Sequence, residues 1–223
     1  MAVSAAFHDP PKLKLARRLM VERQLRGRGI RDERVLAAML LVPRHEFVPQ
    51  ELRHQAYEDH PLSIGENQTI SQPYMVAVMT QELMLRPSDV VLEVGTGSGY
   101  QAGVLSRLTS FVYTIERRQR LACLAYATLK QVGYANIAVF CGDGSRGLPE
   151  HAPFDAILVT AAAPEVPEVL LEQLADDGRL IIPVGQKMIQ VCKRIVRRGR
   201  KFEETDLTSC VFVPLVGRFG WEI

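Results

Sequence analysis

Three acidic residues lie where buried strands are expected to end. Glu93 lies two residues before Gly95 in the apolar run 90–94, Glu116 follows the run 111–115, and Asp143 follows residues 137–142. In a parallel sheet the carboxyl ends of the strands share one edge, where ligands bind. Carboxylates at that edge repel a pyrophosphate and attract a ligand that carries positive charge.

Glycines occupy alternate positions directly after the first run, at Gly95, Gly97 and Gly99. This spacing is typical of a strand that turns sharply into a helix, where main-chain N–H groups can approach a ligand closely. Dinucleotides, mononucleotides and S-adenosylmethionine all use such turns. Glu93 beside the turn favours S-adenosylmethionine, which carries an ammonium group and a sulfonium, over NAD. The two later acids are then placed for ribose hydroxyls (Glu116) and the adenine amino group (Asp143).

Strands and helices alternate around this turn. Strands are predicted over residues 90–94, 111–115, 137–142, 154–160 and 180–185, with helices over 99–108, over 121–132 and around Leu170, Leu171 and Leu174. The alternation predicts an α/β fold with a mostly parallel, doubly wound sheet. Residues 190–196 and 207–214 predict an antiparallel C-terminal hairpin. The small-residue loop 161–164 is placed to lie beneath a ligand.

The N-terminal part is predicted to be helical. Residues 11–28 form a basic amphipathic pattern that stops at two glycines, and Asp32 can cap a second helix that ends at Pro43. His45 is expected at the surface or in a hydrogen bond. Residues 62–75 are too polar and interrupted for a core element, and a helix should begin near Pro73. The hydroxyl of Ser71 just ahead of that helix is placed for ligand contact or for an N-cap.

Composition narrows the class of protein. The chain has 223 residues, of which 47% are hydrophobic and 23% charged, and its net charge is +2. No run of about 18 apolar residues and no signal-like start is present, so we expect a cytoplasmic protein with no membrane contact. The four dispersed cysteines indicate reduced thiols and no metal site. The basic segments 1–31 and 187–201 are not interleaved with aromatic residues, so nucleic-acid binding is not expected.

With these residues placed, the chain resembles the protein-L-isoaspartate O-methyltransferase family between about Arg23 and Gly217. The glycine turn is shared by many methyltransferases, whereas the segment from Thr69 to Pro73 is specific to this family. The other segments that carry the resemblance are Val42-Pro43-Arg44, Phe47-Val48-Pro49, Gly142-Asp143-Gly144, residues 153–157 and Phe212-Val213-Pro214-Leu215.

The resemblance implies a Rossmann-like class I S-adenosylmethionine-dependent methyltransferase fold. It also implies an enzyme that methylates the free carboxyl of isoaspartyl residues in damaged proteins, initiates repair through a succinimide and releases S-adenosyl-L-homocysteine. Ser71 is implied to be the catalytic residue, and Thr69, Ser71 and Val213 are implied to contact the substrate. The implied cofactor-binding residues are Gln68, Thr69, Ile70, Glu93, Gly95, Thr96, Gly97, Gly99, Glu116, Arg117, Asp143 and Gly144.

The expected organisation is a single domain of residues 1–223. It comprises a helical cap (1–60), an active-site loop and helix (61–86), a cofactor-binding core (87–186) and antiparallel strands (187–223), and it acts as a monomer. The chain departs from the family at Glu66-Asn67, where bacterial members commonly have a glycine-containing pair, and by about 15 extra N-terminal residues. The first departure can alter the rim of the peptide cleft.

Three other functions fit parts of the sequence. The basic N-terminal segment would suit a methyltransferase of a small molecule or nucleic acid. A module that binds damaged peptides without turnover is a second alternative, opposed by Ser71 and the three acids. An NAD-dependent oxidoreductase is the third, and failure to bind S-adenosylmethionine in a titration would argue for it, as it would for the binding module.

Overall fold

The computed structural model describes residues 10–186 and 188–222. The first nine residues of the expected helical cap, together with Lys187 and Ile223, lie outside the described residues. The helices are α1 (Pro11–Leu19), α2 (Glu33–Leu41), α3 (Pro73–Glu82), α4 (Tyr100–Leu105), α5 (Gln119–Val132) and α6 (Glu168–Glu172). The strands are β1 (Leu62–Gly65), β2 (Gln68–Ile70), β3 (Val90–Val94), β4 (Phe111–Glu116), β5 (Ile137–Cys141), β6 (Phe154–Val159), β7 (Leu174–Gln186), β8 (Ile189–Arg198) and β9 (Lys201–Cys210).

Seven strands form one sheet in the order β5-β4-β3-β6-β7-β8-β9. The strands from β5 to β7 pair in parallel, while β8 and β9 add antiparallel strands at one edge. The order reverses at β3, whose neighbours are β4 on one side and β6 on the other. Such a reversal opens a crevice at the carboxyl ends of the central strands. The mostly parallel sheet with an antiparallel C-terminal hairpin confirms the predicted fold class.

Alternate residues of the central strands enter two separate cores. Val91 of β3 and Leu158 of β6 pack into a cluster shared with the N-terminal helices, α3 and α4. Leu92 and Ile157, their neighbours in sequence, pack into a second cluster with Leu170 of α6. Since side chains alternate across a strand, each face of the sheet has its own core. Burial on both faces explains why these strands appear as unbroken apolar runs in the sequence.

The N-terminal segment is helical as predicted, but its hydrogen bonding changes along its length. After α1 the chain continues as a π-helix (Met20–Leu25) and a 3-10 turn (Arg26–Arg28), and Gly29 ends it with φ of 99°. The side chain of Asp32 accepts a hydrogen bond from the Arg34 N–H at 2.9 Å, which confirms the predicted cap of α2. His45 is 1% exposed and its Nδ1 lies 2.6 Å from Tyr57 Oη, so it is hydrogen-bonded and buried. No helix among the described residues is long and apolar enough to cross a membrane.

Residues 62–70 are not an irregular loop. They form the antiparallel pair β1–β2, whose two turn residues, Glu66 and Asn67, have φ of 53° and 57°. Positive φ at both positions is the requirement of a type I′ hairpin turn. The strands form despite their polar sequence because Leu62 and Ile70 are 5% and 4% exposed and anchor the hairpin to the core.

Two predicted boundaries near the C-terminus are wrong. Leu174 was expected in a helix, but α6 ends at Glu172 and Leu174 pairs with Phe154 at the start of β7, before an irregularity in the register. The last strand, expected over residues 207–214, ends at Cys210. Pro214 has no N–H to donate to a ladder, and the chain beyond Cys210 crosses to the loop after β6, where Val213 and Leu215 both bond to Ala162.

Candidate active site

The glycine turn joins β3 to α4 at the crevice edge. Gly95, Gly97 and Gly99 have φ of 100°, 52° and 88°, a region that side chains other than glycine rarely adopt. The main-chain N–H of Gly97 donates to the Glu116 carboxylate at 2.9 Å, and the N–H of Arg118 donates to its other oxygen at 2.9 Å. Glu116 therefore ties the end of β4 to the glycine turn.

The end of β6 touches the same turn. Thr160 donates from its hydroxyl to the carbonyl oxygen of Gly95 at 2.6 Å and from its N–H to that of Val94 at 2.9 Å. A Cβ atom added to Gly95 would overlap Thr160 Oγ1. Gly95 is thus required by two constraints at once, its positive φ and the closeness of Thr160.

Three cavities open along this edge. The largest, about 310 Å³, lies between the β1–β2 hairpin, the glycine turn, the end of β4 and residues 213–216. A second, about 40 Å³, and a third, about 80 Å³, continue from it toward the start of α3. Thr69 and Thr160 line all three, so the cavities adjoin one another.

The large cavity collects most of the residues implied to bind the cofactor. Its lining includes Gln68, Thr69, Gly95, Gly97, Glu116, Arg117 and Gly144, together with Val213. Ile70 and Thr96 line the second cavity. The structure also adds residues that the sequence did not single out, namely Thr160, Leu215 and Val216. Of the small-residue loop expected beneath a ligand, Ala161 lines the large cavity.

Ser71 lies between β2 and α3 and lines both the second and the third cavity. The N-cap of α3 is Gln72, and no side chain caps that helix. Among the described residues the Ser71 hydroxyl has no hydrogen-bond partner, so it is available to a ligand. Gly95 and Gly97 also line the second cavity, which places Ser71 beside the glycine turn.

Glu93 does not lie at the mouth of the turn, where the sequence placed it. Its side chain is 0% exposed and lines none of the three cavities. One oxygen accepts a hydrogen bond from Thr114 Oγ1 at 2.5 Å, and the other is buried without a partner among the described residues. Burial raises the pKa of Glu93 to about 8, against the opposing effect of the Thr114 hydrogen bond. Thr114 Oγ1 lies 2.6 Å from Thr96 Oγ1, so a hydrogen-bonded chain runs from this carboxyl group to the turn.

Asp143 also has a role that the sequence did not predict. Its carboxylate accepts hydrogen bonds from the Ser145 hydroxyl at 2.7 Å and from the Arg218 N–H at 2.9 Å. Burial alone would raise the pKa of Asp143, but these hydrogen bonds hold it below its usual value. Asp143 is absent from the cavity lining, whereas its neighbour Gly144 is part of it.

Residues 213–221 form a strap across this edge of the sheet. Ala162 donates to the carbonyl oxygen of Val213 and accepts from the N–H of Leu215, both at 2.8 Å. Trp221 Nε1 donates to the Ala162 carbonyl oxygen at 3.0 Å. The strap carries Val213 to the large cavity and to the third cavity, where Ser71 also lies. No strand pattern in the sequence indicates this position.

Gly99 lines none of the three cavities, although its neighbours Ser98 and Tyr100 line the second. It begins α4 in the left-handed conformation, and a Cβ there would lie 3.3 Å from Leu129 of α5. Its position serves the close packing of α4 on α5.

Comparisons with known proteins agree with this geometry. A family model described as Protein-L-isoaspartate(D-aspartate) O-methyltransferase matches residues 16–220. A protein-L-isoaspartate O-methyltransferase of Syntrophotalea carbinolica is 56% identical over 93% of this chain and 96% of its own length. One from Methanoculleus marisnigri is 53% identical over 91% of this chain and 92% of its own.

Solved structures give the same result. A protein-L-isoaspartate O-methyltransferase superposes with a TM-score of 0.82 at 29% identity, over 92% of this chain and 67% of its own. A Plasmodium falciparum protein described as a putative protein-L-isoaspartate O-methyltransferase, in complex with S-adenosyl-L-homocysteine, superposes with a TM-score of 0.77 at 28% identity. That match covers 88% of this chain and 96% of the other.

Proposed function

The chain belongs to the protein-L-isoaspartate O-methyltransferase family, and we propose that the three adjoining cavities are where the methyl donor meets an isoaspartyl peptide. The resemblance found in the sequence is thereby confirmed. The protein is an S-adenosylmethionine-dependent carboxyl methyltransferase that acts on isoaspartyl residues. The single observation that carries the assignment of the site is that Ser71, Thr69 and the glycine turn line one continuous space.

The lining of the large cavity suits S-adenosylmethionine. Its volume of about 310 Å³ is in the range of small-ligand pockets. Glu116 stands at the end of β4, where a doubly wound sheet holds ribose hydroxyls. At Gly144 a Cβ would lie 2.7 Å from Val94 Cγ1, so the backbone there lies close against the cavity wall. S-adenosylmethionine, when bound, supplies a methyl group on a positively charged sulfur.

The nucleophile needs little help from titratable side chains. The free α-carboxyl of an isoaspartyl residue has a reference pKa of about 3.3 to 3.7 and is therefore ionised at neutral pH. Alignment is the remaining task, and effective alignment can contribute about 7–11 kcal/mol to a reaction of this kind. The Ser71 hydroxyl, which has no hydrogen-bond partner in the described part of the chain, is placed to donate a hydrogen bond that holds the carboxylate.

Besides alignment, the reaction requires that water be excluded from the nucleophile. The third cavity contributes to this exclusion. Its lining includes the apolar residues Met75 of α3 and Val211, Phe212 and Val213 of the C-terminal segment. Because a methyl ester carries a better leaving group than the acid, the product chain can close to a succinimide and reopen partly as normal aspartate.

A paired-peptide assay tests the proposal. Two peptides of the same sequence, one with isoaspartate and one with aspartate, are incubated with S-adenosylmethionine carrying a labelled methyl group. Labelled ester is expected on the isoaspartyl peptide alone. Equal labelling of both peptides, or of neither, would contradict the proposal.

We also propose that the enzyme works as a monomer in the cytoplasm. All four cysteines are free thiols and two of them, Cys123 and Cys141, are exposed, which suits a reducing compartment. Sedimentation equilibrium across a hundredfold range of concentration is expected to return the monomer mass.

A further inference from the structure

Three large apolar side chains lie exposed where β8 begins and β9 ends, and one of them, Val211, lines the third cavity. Met188 and Ile189, at the tip of the β7–β8 hairpin, are 75% and 76% exposed, and Val211, just after β9, is 64% exposed. We call these three residues the apolar ledge. Neighbouring exposed apolar side chains in a soluble protein mark a contact site more often than scattered ones do.

The strand register brings the ledge residues together. Gln190 of β8 pairs with Cys210 of β9, and Gln186 of β7 pairs with Ile189. Gln190 and Cys210 are the last pair of this ladder. Ile189 precedes Gln190 and Val211 follows Cys210, so both residues lie at the same end of the two strands. Both side chains are exposed there.

The ledge is continuous with the proposed peptide site. Val211 also lines the third cavity, together with Ser71 and Val213. Val213 is two residues further along the chain, a distance of about 7 Å for an extended backbone. Because Ser71 and Val211 line the same small cavity, an extended peptide whose isoaspartyl residue lies at Ser71 reaches the ledge with a side chain about two positions away, the next one on the same face of the peptide.

The chemistry of the ledge favours an apolar side chain as its occupant. Residues 188–192 and 207–216 contain no charged residue, which favours an apolar occupant at the ledge itself. Three side chains expose far less area than the roughly 800 Å² that each partner contributes to a stable dimer. A single flanking side chain of a substrate peptide matches the size of the patch.

We propose that the apolar ledge binds an apolar side chain of the substrate polypeptide two residues from the isoaspartyl residue. This inference rests on the proposed function of the site. The proposed substrate class is isoaspartyl residues in apolar segments. Because large apolar side chains are mostly buried in folded proteins, such segments become accessible when a damaged protein unfolds locally.

The test compares two isoaspartyl peptides that differ only at the second position on each side of the isoaspartyl residue, with Leu in one and Ser in the other. For the wild type we expect kcat/KM to be about tenfold higher for the Leu peptide, the scale of burying part of an apolar side chain. In Ile189→Ser the ratio should fall to nearly one. Phe202→Ser is the matched control, because Phe202 is 43% exposed and lies on β9 at the opposite end of the β8–β9 pair. This variant should keep the wild-type ratio.

Three results would overturn the inference. One is equal kcat/KM for the two peptides in the wild type. Another is an unchanged ratio in an Ile189→Ser variant that has the wild-type thermal midpoint. A third is a concentration-dependent dimer in sedimentation that Ile189→Ser abolishes, since the ledge would then serve a second copy of the chain. Failure to methylate either peptide would instead overturn the proposed function itself.

Discussion

The carboxylate of Asp143 accepts a hydrogen bond at 2.9 Å from the main-chain N–H of Arg218, a residue 75 positions later in the chain. Phe219 donates in the same way to the Ser145 hydroxyl at 3.0 Å. The loop after β5 therefore fastens the strap of residues 213–221, which carries Val213 into the site. One carboxylate thus connects the loop that carries Gly144 to the strap that carries Val213.

Gly217 lies where the strap packs directly against Asp143 and Ser145, so these contacts are sensitive to a substitution at this position. A Cβ there would overlap the Asp143 carboxylate and lie 2.5 Å from Ser145 Oγ. Gly217→Ala is expected to lower stability by about 1–3 kcal/mol, the usual cost of overpacking, and to weaken S-adenosyl-L-homocysteine binding about tenfold through displacement of the strap. Thermal unfolding and calorimetric titration measure the two effects. Gly27→Ala is the control, because its nearest neighbour would be at 3.7 Å; equal losses in both variants would contradict the prediction.

Ser71→Ala should lower kcat by about 10²-fold, in the range found when one positioned donor is removed from a reacting group. Affinity for S-adenosyl-L-homocysteine should change little. Since Gln72 and not Ser71 is the N-cap of α3, the thermal midpoint should also be unchanged, whereas loss of a cap would cost about 1 kcal/mol. Ser88→Ala, in an exposed turn, serves as control. A fall in stability with wild-type turnover would assign Ser71 a structural role.

Glu93 should make stability fall as pH rises. Its pKa in the folded protein is about 8 against an ordinary value of 4.5, so between these pH values the unfolded chain has lost a proton that the folded chain keeps. The free energy of unfolding should then decrease by on the order of 1 kcal/mol per pH unit over that window. Urea titrations from pH 5 to pH 8 are expected to show this slope for the cofactor-free wild type and a flatter profile for Glu93→Gln. Superimposable profiles would show that Glu93 is ionised when buried.

Glu66 should make cofactor release sensitive to salt. From the turn of the β1–β2 hairpin its carboxylate reaches Arg118 at 3.6 Å and Arg120 at 3.3 Å, and Arg118 also lines the large cavity. Exposed ion pairs contribute about 0.2–1 kcal/mol and are screened by salt. Glu66→Gln removes the charge and keeps the side-chain length, so the hairpin backbone should not change. The variant should therefore speed dissociation of S-adenosyl-L-homocysteine up to about fivefold at low salt. The difference should vanish near 1 M salt.

Stopped-flow displacement of the bound nucleoside measures these rates. The matched control is Glu150→Gln, because Glu150 is exposed and forms no ion pair among the described residues. A salt-independent difference between wild type and Glu66→Gln would point to a change in the hairpin backbone.

The sequence was sufficient for the parts of the fold that follow from local pattern. The apolar run that contains Glu93, the run before Glu116 and the glycines at 95 and 97 predict strand ends and a turn. These signals depend only on the hydrophobic pattern and the backbone freedom of residues close in sequence. The same reasoning found the cap at Asp32.

The sequence was insufficient where distant residues decide the outcome. Glu93 lies behind the cavity because Thr114, on the neighbouring strand, offers it a hydrogen bond, and strand pairing is not visible in a local pattern. Val213 was implied as a substrate contact only by the family resemblance. Its path across the sheet depends on Ala162, and the Asp143 contact with Arg218 could not be foreseen from either segment alone.

The closeness of Gly95 and Thr160 restricts how this enzyme can diverge. A side chain at position 95 can be accommodated only if position 160 loses its hydroxyl branch and the backbone leaves the left-handed region. Neither change is tolerated alone, since Thr160 holds the turn in place. Residues 95 and 160, which directly follow β3 and β6, should therefore change together in mutant libraries.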